Sequence, residues 1–141
     1  MPAPSPLRPP FDGLALTEDA LARLPIFPLP NVVLLPGVGM PLHIFEPRYR
    51  EMLATCLSEE RVLAMALLAE GHPPDERGRP PVYETLCGGL ILAAEALPDG
   101  RSNILVYGTQ RLRIVRELDT DEPFRRVQAE PVPDVRSPAA S

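Results

Sequence analysis

The chain has 141 residues, 45% of them hydrophobic, and a formal net charge of −5, a balance that suits one folded domain. The acidic charge argues against a nucleic-acid backbone or an anionic membrane as the main partner, because both bind basic patches. Lysine is absent and all 14 basic residues are arginine, which excludes a Walker lysine, a Schiff base and a Ser-Lys dyad.

The start of the chain and its cysteines indicate the cellular compartment. Met1 is followed by Pro-Ala-Pro-Ser-Pro rather than by the charged and apolar regions of a secretory signal. Cys56 and Cys87 belong to no Cys-x-x-Cys pair. We therefore expect a cytoplasmic protein with two free, buried thiols, and a single disulfide is the alternative.

The first half of the chain alternates between proline-rich and apolar stretches. Residues 1–10 are expected to form a disordered lead, and residues 16–24 predict a short helix with Thr17 as its N-cap. Residues 24–45 hold short apolar runs separated by proline and glycine, a spacing that no helix tolerates. This pattern predicts strands near 25–29, 32–35 and 41–45.

The dipeptide Glu46-Pro47 marks a change from strand to helix. From Tyr49 to Leu57 the apolar residues recur at helical spacing. Proline is favoured at the first helical position, where its missing N–H is not needed, and it keeps the residue before it extended. We therefore predict an amphipathic helix over residues 47–58.

The second half of the chain reads as a series of strands. Residues 61–70 predict a buried strand, although their propensity also allows a helix. Residues 83–108 predict a hairpin around a turn at 97–100, with a bulge at Gly88-Gly89. Alternating apolar and polar residues predict two further strands, 110–118 and 124–132.

Many short strands, glycine and proline turns and one clear helix predict the fold class. We expect a mostly-β (α+β) barrel of short strands with one central amphipathic helix. This domain is expected over residues 11–133, between the lead at 1–10 and a disordered tail at 134–141.

Two stretches of the chain resemble the Lon N-terminal domain, the substrate-binding module of ATP-dependent Lon proteases. They read LPIFPLPNVVLLPGVGMPLHIFEPRYREML and PPVYETLCGGLILAAEALPDGRSNILVYGTQRLRIVREL, and the likeness spans about residues 24–133. The resemblance implies a PUA-like pseudo-barrel that recognises unfolded or degron-bearing polypeptide, with a protease or an adaptor as a further partner. The chain is similar to standalone bacterial Lon-domain proteins, or to a fragment of one, since the P-loop and the Ser-Lys dyad are absent from it.

The candidate peptide-binding residues lie in the apolar runs before the helix and at the corner where strand becomes helix. They are Leu35, Leu42, Phe45 and Tyr49. Apolar and aromatic anchors at an incompletely paired sheet edge are typical of sites that accept extended polypeptide. The alternative is that these residues are simply core.

Three charged residues are predicted to form a structural ion pair, Glu46 with Arg111 or Arg113, because an unpaired buried charge is costly. The alternative is that the two arginines bind a carboxylate ligand in a bidentate manner.

Neither a catalytic, a cofactor nor a metal site is predicted. His43 and His72 read as surface histidines, and no Gly-x-Ser-x-Gly nucleophile motif is present. The alternative to polypeptide recognition is a PUA-like nucleic-acid-binding module. The negative charge and an aromatic content of only 5% disfavour that alternative.

Overall fold

The computed structural model describes residues 16–133. The predicted lead at 1–10 and tail at 134–141 lie outside the described residues. Within 16–133 the two helices are α1 (Glu18–Ala22) and α2 (Pro47–Ser58). The six strands are β1 (Leu24–Leu29), β2 (Gly39–Ile44), β3 (Val62–Leu67), β4 (Thr85–Ala96), β5 (Ser102–Glu117) and β6 (Arg125–Pro131).

Five of the six strands in the described part close into a ring. Each of β5, β4, β3, β1 and β6 pairs with the next, and β6 pairs back with the second half of β5. The β1–β3 pair is parallel and the other pairs are antiparallel. Strand β2 pairs with the first half of β5 and forms the edge of the sheet. The predicted mostly-β pseudo-barrel with one central helix is confirmed.

The buried residues form two clusters. One surrounds α2, whose Tyr49, Met52, Leu53 and Cys56 are all buried, which confirms the predicted apolar stripe. The other is drawn from the strands of the ring: Leu24, Ile26, Ala64, Ala66, Leu86, Leu112, Val127 and Ala129. Because strand side chains alternate between faces, the strands can supply both clusters.

Both helices begin as predicted. The Thr17 hydroxyl caps α1 by accepting the backbone N–H of Ala20 at 3.0 Å. Pro47 opens α2, and Glu46 before it is extended, with φ −71° and ψ 139°. The carbonyl of Glu46 accepts the N–H groups of Tyr49 and Arg50, so the first turn forms without a side-chain cap.

The late strands also follow the prediction, with one difference in length. β4 and β5 form the expected hairpin, and the register shifts between Cys87 and Gly89, as a bulge requires. Gly100 closes the turn with a φ of 90°. The strand predicted at 110–118 is the continuation of β5 rather than a separate element. Neither helix of the described residues has the length and apolar character of a membrane span.

The strand predicted at 32–35 is wrong. These residues form no strand, because both edges of the preceding β1 are already occupied by β3 and β6. Pro30 and Pro36 bracket the run and supply no N–H to a ladder. Residues 30–38, called the crossing segment below, instead pass across the face of the sheet.

Gly108 of β5 holds the crossing segment in place. Its N–H donates to the carbonyl of Val38 at 2.9 Å, and its carbonyl accepts the N–H of Gly37 at 2.8 Å. A Cβ at position 108 would overlap the carbonyl oxygen of Leu35, so only glycine allows this approach. The close approach buries Leu34 and leaves Val33 and Leu35 outside.

Candidate functional site

An apolar groove of about 230 Å³ lies beside the crossing segment, where β3 ends and β4 begins. It is called the crossing groove below. Its main walls are the side chains of Val33, Leu35, Met65, Leu67, Tyr83 and Arg111. Three segments that are distant in the chain therefore meet at one surface.

The rim of the crossing groove exposes large apolar side chains. Val33 is 58% exposed, Tyr83 is 52% exposed and Leu35 is 49% exposed. Single exposed apolar residues are ordinary, whereas several of them around one groove make that groove a candidate interaction surface. The arrangement follows from the crossing segment, which turns Leu34 into the core and its two neighbours outward.

Arg111 gives the crossing groove a positive charge. It stands opposite Cys87 in the β4–β5 register, and both residues line the groove. Arg113, two residues along the same strand, forms an ion pair with Glu130. The guanidinium of Arg111 forms no ion pair or hydrogen bond with any residue in 16–133.

The ion pair predicted between Glu46 and Arg111 or Arg113 is wrong. Glu46 pairs with Arg48 at 3.0 Å. Strand β2 ends opposite Ser102, so Glu46 lies near the start of β5. Arg111 comes nine residues after Ser102, which is roughly 30 Å along a strand that rises about 3.3 Å per residue. Distance along β5 therefore excludes the predicted pair.

The other predicted anchors lie at a separate place. Leu42, Phe45 and Tyr49 line a cleft of about 120 Å³ at the strand-to-helix corner, with Phe27 behind them. Phe45 is exposed and Leu42 is half-buried. Tyr49 is buried, and its ring centroid lies 4.4 Å from that of Phe27. Tyr49 is therefore not an exposed anchor, and the alternative that it is core is correct for this residue, as the helical stripe predicts.

The sequence reasoning missed part of the crossing groove. It named Leu35 but neither Val33 nor Tyr83, and it favoured an ion pair for Arg111, with binding of a carboxylate ligand as the alternative. The bracketing prolines of the crossing segment were a usable signal for Val33. No local pattern around Tyr83 marks it as a groove residue.

A second and larger concavity, about 380 Å³, lies between α1, the end of α2 and β6. It is called the Arg126 pocket below, after the buried arginine in its wall, which is 2% exposed. Arg126 donates to Glu122 at 2.5 Å and 3.0 Å, and to the carbonyl of Arg23 at 2.7 Å. Its two longer contacts, at 3.4 Å, reach Glu59. This arginine is fully partnered within the chain.

The two cysteines are free and buried, as expected. Burial raises the pKa of the Cys87 thiol to about 11 and that of Cys56 to about 12. Because the thiolate is the reactive form, neither residue is suited to nucleophilic chemistry at neutral pH. Within residues 16–133, no group of three or more His, Cys, Asp or Glu side chains is placed to hold a metal ion.

Comparison with protein families places these features in context. The family model described as the ATP-dependent protease La (LON) substrate-binding domain matches residues 23–141. The Lon protease of Cytophaga hutchinsonii is 26% identical over 118 residues, which is 84% of this chain. Lon protease 2 of Herpetosiphon aurantiacus is 30% identical over 119 residues. The aligned part is 14% of each of these two proteins, so the chain spans about one seventh of their length.

Two solved structures share the fold. The N-terminal domain of Mycobacterium avium complex Lon protease superposes with a TM-score of 0.63 at 17% identity. This match covers 82% of the present chain and 57% of the other. The Lon N-terminal domain protein from Xanthomonas campestris gives a TM-score of 0.60 at 27% identity, with coverages of 79% and 62%.

Proposed function

Because the chain belongs to the family of Lon substrate-binding domains, we propose that it binds apolar segments of unfolded polypeptide in the crossing groove. The observation that carries the proposal is the ring of exposed apolar side chains around that groove. The module binds without a catalytic step of its own, since no lysine is available for the Walker motif or the Ser-Lys dyad. It acts in the cytoplasm and presents its client to a protease or an adaptor.

The size of the crossing groove supports a peptide as its occupant. Small-molecule pockets usually enclose about 300–1,000 Å³, and this groove of about 230 Å³ is smaller and open along one side. It suits one or a few apolar side chains of a longer chain. So few anchors give weak binding, with a dissociation constant in the micromolar range or above (on the order of −8 kcal/mol or less favourable).

The test is a titration of the protein with a fluorescently labelled, permanently unfolded polypeptide at physiological salt. We expect saturable binding that Val33→Ser weakens several-fold, because the substitution removes an apolar contact at the rim. Val115→Ser is the matched control, since Val115 is also an exposed valine, at 49%, and does not line the groove. Equal binding by both variants would show that the crossing groove is not the site of binding.

The nucleic-acid alternative is tested in the same assay with labelled single-stranded RNA. We expect no saturable binding, because the chain carries a net charge of −5 and the crossing groove offers one arginine. RNA binding without a response to unfolded polypeptide would reverse the ranking of the two functions. Binding to neither would contradict the proposed function and would indicate a folded partner.

A further inference from the structure

The crossing groove combines apolar walls with one cation, Arg111, that has no ion-pair partner among residues 16–133. Val33, Leu35 and Tyr83 surround the opening, and the guanidinium of Arg111 has no ion-pair or hydrogen-bond partner in the described residues. Arg113, its neighbour on the same strand, is paired with Glu130. An occupant of the groove would therefore contact a guanidinium that is still able to form an ion pair.

A purely apolar occupant would be a poor match for Arg111. Arg111 is an exposed residue that lines the groove, so an occupant covers part of its guanidinium and an apolar occupant offers it no partner in place of the displaced water. A carboxylate resolves this problem, because its two oxygens match the planar fork of arginine in a bidentate contact. Charge complementarity therefore selects an occupant that is apolar and carries one carboxylate.

The small size of the groove decides where that carboxylate lies. In about 230 Å³ the anion must sit next to the apolar side chain that fills the groove. The last residue of a polypeptide meets this condition, because its side chain and its α-carboxylate are attached to the same Cα. An aspartate or glutamate side chain would need a neighbouring residue to supply the apolar contact.

We propose that Arg111 binds the free α-carboxylate of a polypeptide whose last residue is apolar, so that the crossing groove recognises the C-terminal ends of chains. The proposal rests on the proposed function of the groove and defines its preferred substrate. Internal apolar segments still bind through Val33, Leu35 and Tyr83, but without the contact to Arg111.

The test uses N-terminally labelled peptides of glycine and serine that end in leucine. One peptide has a free carboxylate, a second ends in an amide, and a third is an amide with glutamate before the leucine. We expect the free acid to bind the unmodified protein about tenfold more tightly than the plain amide, as a charge-assisted hydrogen bond would give. Equal binding of these two peptides would overturn the proposal. If the third peptide matched the free acid, an acidic side chain would replace the α-carboxylate as the ligand.

Two variants assign the effect to one guanidinium. Arg111→Gln should reduce binding of the free acid to the level of the amide and leave the amide unchanged. Arg113→Gln is the matched control, because it removes the same charge from the same strand at a residue already paired with Glu130. An equal loss in both variants would show a general charge effect and would contradict the proposal.

The labelled unfolded polypeptide separates this inference from the function on which it rests. Its many internal segments do not depend on a chain end, so Arg111→Gln should bind it almost as well as the unmodified protein does. Val33→Ser should weaken the binding of both the unfolded polypeptide and the peptides several-fold. Binding of the unfolded polypeptide but of none of the peptides would overturn the C-terminal preference alone.

Discussion

The crossing groove and the Arg126 pocket both contain an arginine, but their chemistry differs. The Arg126 pocket is the larger, at about 380 Å³ against about 230 Å³, and its arginine is satisfied by carboxylates and a carbonyl of the chain itself. The crossing groove is apolar, and Arg111 lacks a partner in the described residues. The groove proposed as the binding site is therefore not the larger of these two cavities. The bonding capacity that the chain leaves unused is the better guide.

Arg126 has a structural task that explains its partners. Arg23 is the C-cap residue of α1, Glu59 is the C-cap residue of α2, and Glu122 belongs to the loop before β6. By donating to all three, the guanidinium joins three elements that are distant in the chain. Such a residue has little capacity left for a ligand.

The largest effect is expected from Arg126→Met. The substitution leaves Glu122 and the carbonyl of Arg23 without their donor, and removing one side of a buried ion pair costs about 3–5 kcal/mol. Because Glu122 and Glu59 are partly exposed to water, we expect a loss of about 3 kcal/mol in the free energy of unfolding. Chemical denaturation measures this loss. An unchanged midpoint would mean that the pocket is not a structural junction.

Acid should remove part of the same stability. The hydrogen bond from Arg126 lowers the pKa of Glu122 in the folded state, and Thr120 and Arg23 act in the same direction. A carboxyl with a lowered folded pKa stabilises the fold above its unfolded pKa, and this contribution disappears as the pH falls through the folded pKa. Unfolding free energies measured from neutral to acidic pH should therefore fall less steeply for Glu122→Gln than for the unmodified protein. Parallel curves would contradict this role of Glu122.

The smallest effect is expected from Arg111→Gln. An exposed residue whose side chain has no partner among residues 16–133 contributes little to folding, so the free energy of unfolding should stay within about 0.5 kcal/mol of the unmodified protein. The same variant should lose the preference for a free C-terminus. A clear destabilisation would show that Arg111 has a structural role, and the contrast with Arg126 would then fail.

The features predicted correctly are those with local signals. Pro47 and the stripe from Tyr49 to Cys56 lie within a few turns of one helix, and the turn at 97–100 carries its own proline and glycine. The apolar composition of the crossing segment predicts that it packs on the core. Composition alone does not predict that it packs against Gly108 of β5. Local patterns therefore predict the helices, strands and turns, but not how these elements pack against each other.

The candidate site was harder to predict because it is assembled from distant positions. Val33, Tyr83 and Arg111 come together only after the ring has closed. The contact of Arg126 with the carbonyl of Arg23 spans 103 positions, and its contact with Glu59 spans 67. No periodicity in the sequence records such pairings. Glu46 was predicted to pair with a distant arginine, but its partner is Arg48, two positions away.

The closure of the ring also has a consequence for the folding of the protein during its synthesis. Leu24 in β1 lies opposite Val127 in β6, so the barrel closes only when nearly the whole described chain has been made. At about 5–20 residues per second, a ribosome needs roughly 5–20 s to synthesise the hundred or so residues between them. During that time the backbone edge of the apolar strand β1 has no β6 to pair with, and such non-local pairing is slow to form. A domain proposed to bind unfolded chains is thus itself, for its first seconds, an unfolded chain with an exposed apolar segment.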